Sequence, residues 1–250
     1  MREKTRRTRR RAVPFLVAAL LSALFVSGPI HAGEFEMSME WRGGLIYVPV
    51  SINGSKETLS FILDTGAMMS ALDPAVAERL GLEAVGRAQA MGAGAETHEI
   101  SIFQAATIAI GGASFENVTF AGAPLAPLSI HTGAALDGVL GYNVLSDFAV
   151  EIDYANERVK LHDPAEWTYE GDGDEVPLQF KHNLPFVYAG IEEHSDDMHL
   201  KHEGLFVLDT GASPALIVNE GFAERNGLLA LSDTLIEGPT GFGIGGAVQG

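Results

Sequence analysis

Apolar and polar positions in this chain mostly follow the two-residue period of half-buried strands. Leu45–Ile52 and Leu59–Leu63 are apolar or alternating, and Asn53-Gly54 between them is a hairpin signal. Ile100–Ile110 and Ser114–Phe120 alternate around Gly111-Gly112, while Phe148–Tyr154 and Arg158–His162 flank the turn Ala155-Asn156-Glu157. Helical spacing is confined to short pieces near Pro74–Leu80 and Tyr142–Ser146. The pattern predicts an all-β protein.

The pattern also repeats. Phe61-Ile62-Leu63-Asp64-Thr65-Gly66-Ala67 recurs as Phe206-Val207-Leu208-Asp209-Thr210-Gly211-Ala212. After each copy comes a related segment, Ala77-Glu78-Arg79-Leu80-Gly81-Leu82 and then Ala223-Glu224-Arg225-Asn226-Gly227-Leu228. Two blocks that agree in offset to within one residue are the mark of a duplication, and predict two lobes of similar fold.

Charge separates one end from the rest. Residues 1–32 carry seven basic side chains and one acid, leaving nine basic and thirty-two acidic side chains in the remainder, a net charge of −23 with His neutral. Such a surface repels nucleic-acid phosphates and anionic headgroups, so no nucleic-acid partner is expected. The basic stretch precedes an apolar run, Ala12–Val26, that is short for a spanning helix and suits a signal-peptide core. Cleavage after Ala32 would release an exported protein, periplasmic or secreted, with no membrane partner afterwards; the alternative is an uncleaved signal anchor. Thr8-Arg9-Arg10 hints at twin-arginine export, but the residues after it fit that route poorly. The chain has no cysteine, which removes a disulfide framework, a thiol nucleophile and Cys-based metal sites.

The chemistry lies in the two Asp-Thr-Gly copies. A lone Asp-Thr-Gly reads as a turn, but two copies in a duplicated apolar frame point to a catalytic pair, Asp64 and Asp209. Two carboxyl groups at close range cannot both ionise, so one activates a water while the other polarises a carbonyl. The apolar triplets before them are expected to form buried strands that fix where each loop emerges. Thr65 and Thr210 are able to bond across the lobe interface. Gly66 and Gly211 are expected to let the loops approach closely and to adopt φ values that other residues avoid. Water is the nucleophile and the scheme needs no metal and no cofactor.

Leu-Asp-Thr-Gly-Ala twice, with Leu136-Asp137-Gly138-Val139-Leu140-Gly141 downstream of the first copy, resembles the aspartic proteases. Ala67 and Ala212, where pepsin-type enzymes usually carry Ser or Thr, are more similar to the retroviral-type branch. The stretch from Asp137 to Tyr142 and on through Phe148–Tyr154 resembles its exported bacterial members, some of which carry a PDZ domain after the second lobe. The resemblance covers roughly 45–162 well and 176–250 partly. It implies an acid-protease fold, two related β-barrel lobes with the active site between them, and endopeptidase activity on extended polypeptide. It also implies that Val139, Leu140 and Gly141 thread behind the active-site loop and support it. Gly-rich flaps are implied at Gly92 and Gly94 in lobe one and at Gly243 and Gly245 in lobe two. Neither has the flap Tyr of pepsin-type enzymes.

The resulting organisation is a signal peptide over 1–32, a first lobe over 33–162, an acidic linker over 163–175 and a second lobe over 176–250. Gly141 lies 77 residues after Asp64, whereas only 41 residues follow Asp209, so the second lobe is expected to be truncated here and completed by further sequence. The full-length protein is expected to be a monomer. Two rivals stand beside the enzyme: a catalytically silent peptide-binding module on the same fold, and a lobe-one homodimer using two copies of Asp64. Gly241-Phe242-Gly243-Ile244-Gly245-Gly246 matches a dinucleotide fingerprint only formally, without a βαβ context. His194, His199 and His202 with Asp196, Asp197 and Glu203 have no recognised zinc spacing and read as a solvated hairpin.

Overall fold

The computed structural model of the protein describes residues 34–91, 97–195, 198–231, 239–243 and 246–249. The expected export signal, three of the flap glycines (Gly92, Gly94 and Gly245) and the acids Asp196 and Asp197 lie outside them.

The fold is all-β. Among the described residues, eleven strands precede residue 163: β1 (Phe35–Ser38), β2 (Glu40–Arg42), β3 (Leu45–Ile52), β4 (Leu59–Leu63), β5 (Ala71–Leu72), β6 (Ala84–Met91), β7 (Thr97–Ile110), β8 (Ala113–Gly122), β9 (Gly138–Leu140), β10 (Ala149–Asp153) and β11 (Arg158–His162). Short helices α1 (Pro74–Arg79), α2 (Ala126–Thr132) and α3 (Tyr142–Leu145) interrupt them. One eight-stranded sheet runs in the order β2-β3-β4-β9-β5-β8-β7-β6. A second pairing, β3 with β7, closes six of these strands into a barrel. Sequence alternation explains the barrel's filling. Ile46, Val48, Val50 and Ile52 of β3 and Leu59, Phe61 and Leu63 of β4 point inward with Ile108, Ile110, Phe120 and Leu140. The alternate residues Leu45, Tyr47, Ile62 and Val139 point the other way, into a second cluster with Leu125 and Leu136. Both faces of β3 and β4 are therefore covered, which is why these strands read as nearly continuous apolar runs.

The Asn53-Gly54 turn forms with both residues at positive φ, 50° and 67°. It does not make a two-residue hairpin, because Ile52 leaves β4 to pair with Ile108 and closes the barrel. β1, β11 and β10 form a separate three-stranded sheet whose Met37, Val159 and Leu161 join the barrel core. Phe148 fixes its seating, with its ring edge-on to Phe35 and Phe115.

Further along the chain, β12 (Gln179–Lys181), β13 (Leu184–Ser195) and β14 (Met198–Val207) form a three-stranded antiparallel sheet, and β15 (Pro239–Gly243) pairs with β16 (Gly246–Gln249). Helix α4 (Glu220–Arg225) lies between them in sequence and places Phe222 against Phe206. It matches α1 closely. Asp73 and Asn219 cap the two helices with their side chains, and each ends at a glycine with φ of 68°, Gly81 and Gly227. Among the described residues no second barrel closes. Val207 and Leu208 are 39% and 47% exposed, where their counterparts Ile62 and Leu63 are 2% and 1% exposed. The expectation of a buried strand ahead of Asp209 is therefore corrected. No strand among the described residues lies beside β14 as β9 lies beside β4, so its apolar residues keep an open face.

Candidate active site

β4 delivers Asp64 from the barrel core. It pairs in parallel with β9, matching Phe61 with Gly138, Ile62 with Val139 and Leu63 with Leu140, and the Asp64 amide continues the ladder to the Leu140 carbonyl at 3.0 Å. Val139 and Leu140 anchor this support in opposite directions, Val139 into the outer cluster and Leu140 into the barrel core. Gly141 then passes directly behind the loop. A Cβ there would lie 2.7 Å from the Met69 carbonyl carbon and 2.8 Å from the Ala67 oxygen, so only glycine fits. Tyr142 donates its amide to the Ala67 carbonyl at 2.9 Å.

Two further residues hold this loop, and no sequence motif marks either of them. Ser70 is fully buried and its Oγ accepts the Gly141 amide at 3.0 Å. The Asn143 side chain accepts the Ser70 amide at 2.7 Å and donates to the Thr119 carbonyl at 3.0 Å, tying the loop to β8. Asp137 acts one step earlier, accepting the Ser60 amide at 2.8 Å and so setting the start of the β4–β9 pairing. Ser70 and Asp137 sit in short connections and Asn143 in the one-turn helix α3, and only the fold shows which amide each meets.

Asp209 emerges from the end of β14, where the Leu208 amide bonds the Pro185 carbonyl at 2.9 Å. The two Asp-Thr-Gly loops meet through a reciprocal exchange. The Thr65 amide donates to Thr210 Oγ1 at 3.1 Å and the Thr210 amide to Thr65 Oγ1 at 3.0 Å. Each hydroxyl then donates to the end of the strand before the other loop: Thr65 Oγ1 to the Leu208 carbonyl at 2.6 Å, Thr210 Oγ1 to the Leu63 carbonyl at 2.8 Å. Within each loop the glycine amide donates to its own aspartate, Gly66 to Asp64 Oδ1 and Gly211 to Asp209 Oδ1, both at 2.8 Å.

The glycines also bring the carboxylates together. A Cβ on Gly66 would lie 2.5 Å from Asp209 Cγ, and one on Gly211 would overlap the Asp64 carboxylate. Neither glycine has positive φ, so the expectation that they adopt conformations closed to other residues is corrected. Space is what excludes a side chain at these two positions. Asp64 is half-buried and Asp209 exposed. Burial first, and the negative charge of Asp209 second, together push the Asp64 carboxyl up from 3.8 to about 7, against the opposing pull of the Gly66 amide. This arrangement can hold one proton between two carboxyls near neutral pH.

Of the flap glycines, Gly243 ends β15 in the β15–β16 hairpin. Gly92 and Gly94 fall in sequence between β6 and β7, outside the described residues. His194 and His199 are cross-strand partners near the end of the β13–β14 hairpin, and His202 lies three residues further along β14, with Nδ1 3.3 Å from Asn226 Oδ1. Among the described residues no group of three or more His, Asp or Glu is arranged to hold a metal ion, and no helix is long and apolar enough to cross a membrane.

No curated protein matches this chain. Among solved structures, a retropepsin-like aspartic protease from Rickettsia conorii is similar at 20% identity, covering 53% of this chain and 92% of that one with a TM-score of 0.36. Residues 48–144, from β3 through the Asp64 loop and its Val139–Gly141 support into α3, match the family model of the aspartyl proteases.

Proposed function

We propose that this protein is an aspartic endopeptidase that hydrolyses peptide bonds in extended polypeptide, using one water and a proton shared by Asp64 and Asp209. The observation that carries the reading is the reciprocal Thr65–Thr210 exchange, which fixes two Asp-Thr-Gly loops against each other with each glycine facing the other lobe's carboxylate. In the proposed reaction the ionised carboxylate takes a proton from water as its oxygen attacks the scissile carbonyl carbon. The protonated carboxyl gives its proton to the carbonyl oxygen, forming a neutral tetrahedral diol. Collapse breaks the C–N bond as the first carboxyl passes its proton to the leaving nitrogen, and a diol hydroxyl returns a proton to the second carboxylate. The products are a free acid and a free amine, and the shared proton is restored. The raised Asp64 value supports such a pair, because it keeps one proton bound up to about neutral pH.

We further propose that the protein is exported, on the basic, apolar and small-residue succession of residues 1–32. The enzymatic reading is tested with a peptide isostere bearing a hydroxyl in place of the scissile carbonyl, of the statine type. It should inhibit competitively and tightly, because its hydroxyl sits where the tetrahedral diol forms. Proteolysis that ignores the isostere and stops with a serine-directed reagent would exclude the mechanism.

A further inference from the structure

Away from the dyad, a cavity of about 780 Å³ opens between the β10–β11 edge and the loop that follows β11. It shares no lining residue with either Asp-Thr-Gly loop. The loop is folded rather than draped. Asp163 accepts the Ala165 amide on its side chain and the Glu166 and Trp167 amides on its carbonyl, and Tyr169 OH accepts the Gly173 amide at 3.1 Å. Two aromatic rings stand in the wall. Trp167 stacks on the buried His162 ring at 5.3 Å and 25°, and Tyr169 stands 6.3 Å from Trp167 at 47°. Both stay open to solvent, at 37% and 46%.

The charges around these rings are unbalanced. Glu34 and Glu151 face the cavity's own cation, Lys160, at 3.2 and 3.8 Å, and Glu151 also holds His162 Nε2 at 2.9 Å. Glu166 and Glu170 line the same cavity and make no ion pair among the described residues. Two carboxylates without counter-charge beside two exposed π faces disfavour anions and add little for a neutral apolar guest. A strongly hydrated inorganic cation would gain little from the rings. A flat or alkylated cation gains from both, by charge attraction to the carboxylates and by cation–π contact with the rings.

We propose that this cavity binds an organic cation of the guanidinium or alkylammonium class, held against the open sides of Trp167 and Tyr169 and neutralised by Glu166 and Glu170. Such a group reaches the protein either on a polypeptide side chain or as a free polyamine. The proposal does not depend on the reaction assigned to the dyad.

The chain has two tryptophans, so Trp41→Phe leaves Trp167 as the sole indole reporter. The emission of this variant is titrated with N-acetylarginine amide, with spermidine, and with uncharged N-acetylcitrulline amide. A saturable change with at least one of the cations and none with the citrulline analogue is expected. Adding Glu166→Gln and Glu170→Gln should weaken that binding at least tenfold, and raising the salt should weaken it in the parent. Tighter binding of the arginine derivative identifies a side-chain ligand, and tighter binding of spermidine a free polyamine; either supports the site. Absence of a saturable response to both cations, an equal response to the citrulline analogue, or unchanged affinity in a folded double-Gln variant would each overturn it.

Discussion

Replacing Asp64 by Asn removes a carboxyl whose proton the fold holds far more tightly than the unfolded chain does. The Asn side chain keeps an oxygen to accept the Gly66 amide, now seen at 2.8 Å. A carboxyl with a raised folded-state pKa stabilises the fold fully below its unfolded value, and that stability is lost as pH rises through the folded value. For Asp64 the window runs from 3.8 to about 7. A rise of about 3 units at 1.36 kcal/mol each sets a ceiling of about 4 kcal/mol on the loss. Asp64 is only half-buried and Asp209 is exposed, so solvent relieves part of both the desolvation and the repulsion, which brings the expected difference to about 2 kcal/mol. Urea unfolding of wild type and Asp64→Asn at pH 4, 6 and 8 measures it, since every titrating group outside the Asp64–Asp209 pair is common to both and cancels. The variant's gain over wild type should grow between pH 4 and pH 8, moving its midpoint up by about 1 M. A stability difference that is flat over this range, or a variant that loses ground at pH 8, would refute the placing of Asp64 in a desolvated carboxylate pair.

Two other perturbations follow from the same geometry. Gly66→Ala puts a methyl 2.5 Å from Asp209 Cγ, against an ordinary contact near 3.4–4 Å, so the carboxylates must part by roughly 1 Å. Peptide cleavage measured with a quenched fluorogenic substrate should fall about 100-fold with a modest loss of stability, and unchanged turnover would count against the close approach. The strands before the two aspartates should respond unequally: Leu63→Ala at a buried position should cost about 2–5 kcal/mol in urea unfolding. Leu208→Ala at a half-exposed one should cost about 1 kcal/mol or less, and equal losses would mean that β14 is covered as β4 is.

How far the sequence discloses this structure depends on the length of the interactions involved. β3, β4 and the β10–β11 hairpin announce themselves because strand period and turn residues are local. The duplicated Asp-Thr-Gly frame reveals the candidate dyad, and its thresholds of size are readable too: threonine to bond across, glycine to leave room. Helix α2 escapes notice because it is seven residues long, with no side-chain cap and no buried stripe to give a 3.6-residue signal. Ser70 and Asn143 escape for a different reason. Their hydrogen bonds join Gly141 and Thr119 to the Asp64 loop across gaps of 71 and 24 residues, and nothing local marks a serine or asparagine for such a role. The exposure of Val207 and Leu208 is equally invisible, since an apolar triplet reads the same with or without a strand beside it.

The central claim is that one carboxyl from each loop serves the reaction, and Asp209→Asn tests it most directly. The substitution leaves the Thr65–Thr210 exchange in place and Oδ1 able to accept the Gly211 amide, so the fold should survive. Cleavage of an unfolded protein substrate at mildly acid pH, measured for wild type, Asp64→Asn and Asp209→Asn, should be lost in both variants by at least 10³-fold, the order expected when a general acid–base partner is removed. Substantial cleavage by Asp209→Asn alongside an inactive Asp64→Asn would contradict the two-loop site and return the chemistry to Asp64 paired with its own copy in a second molecule.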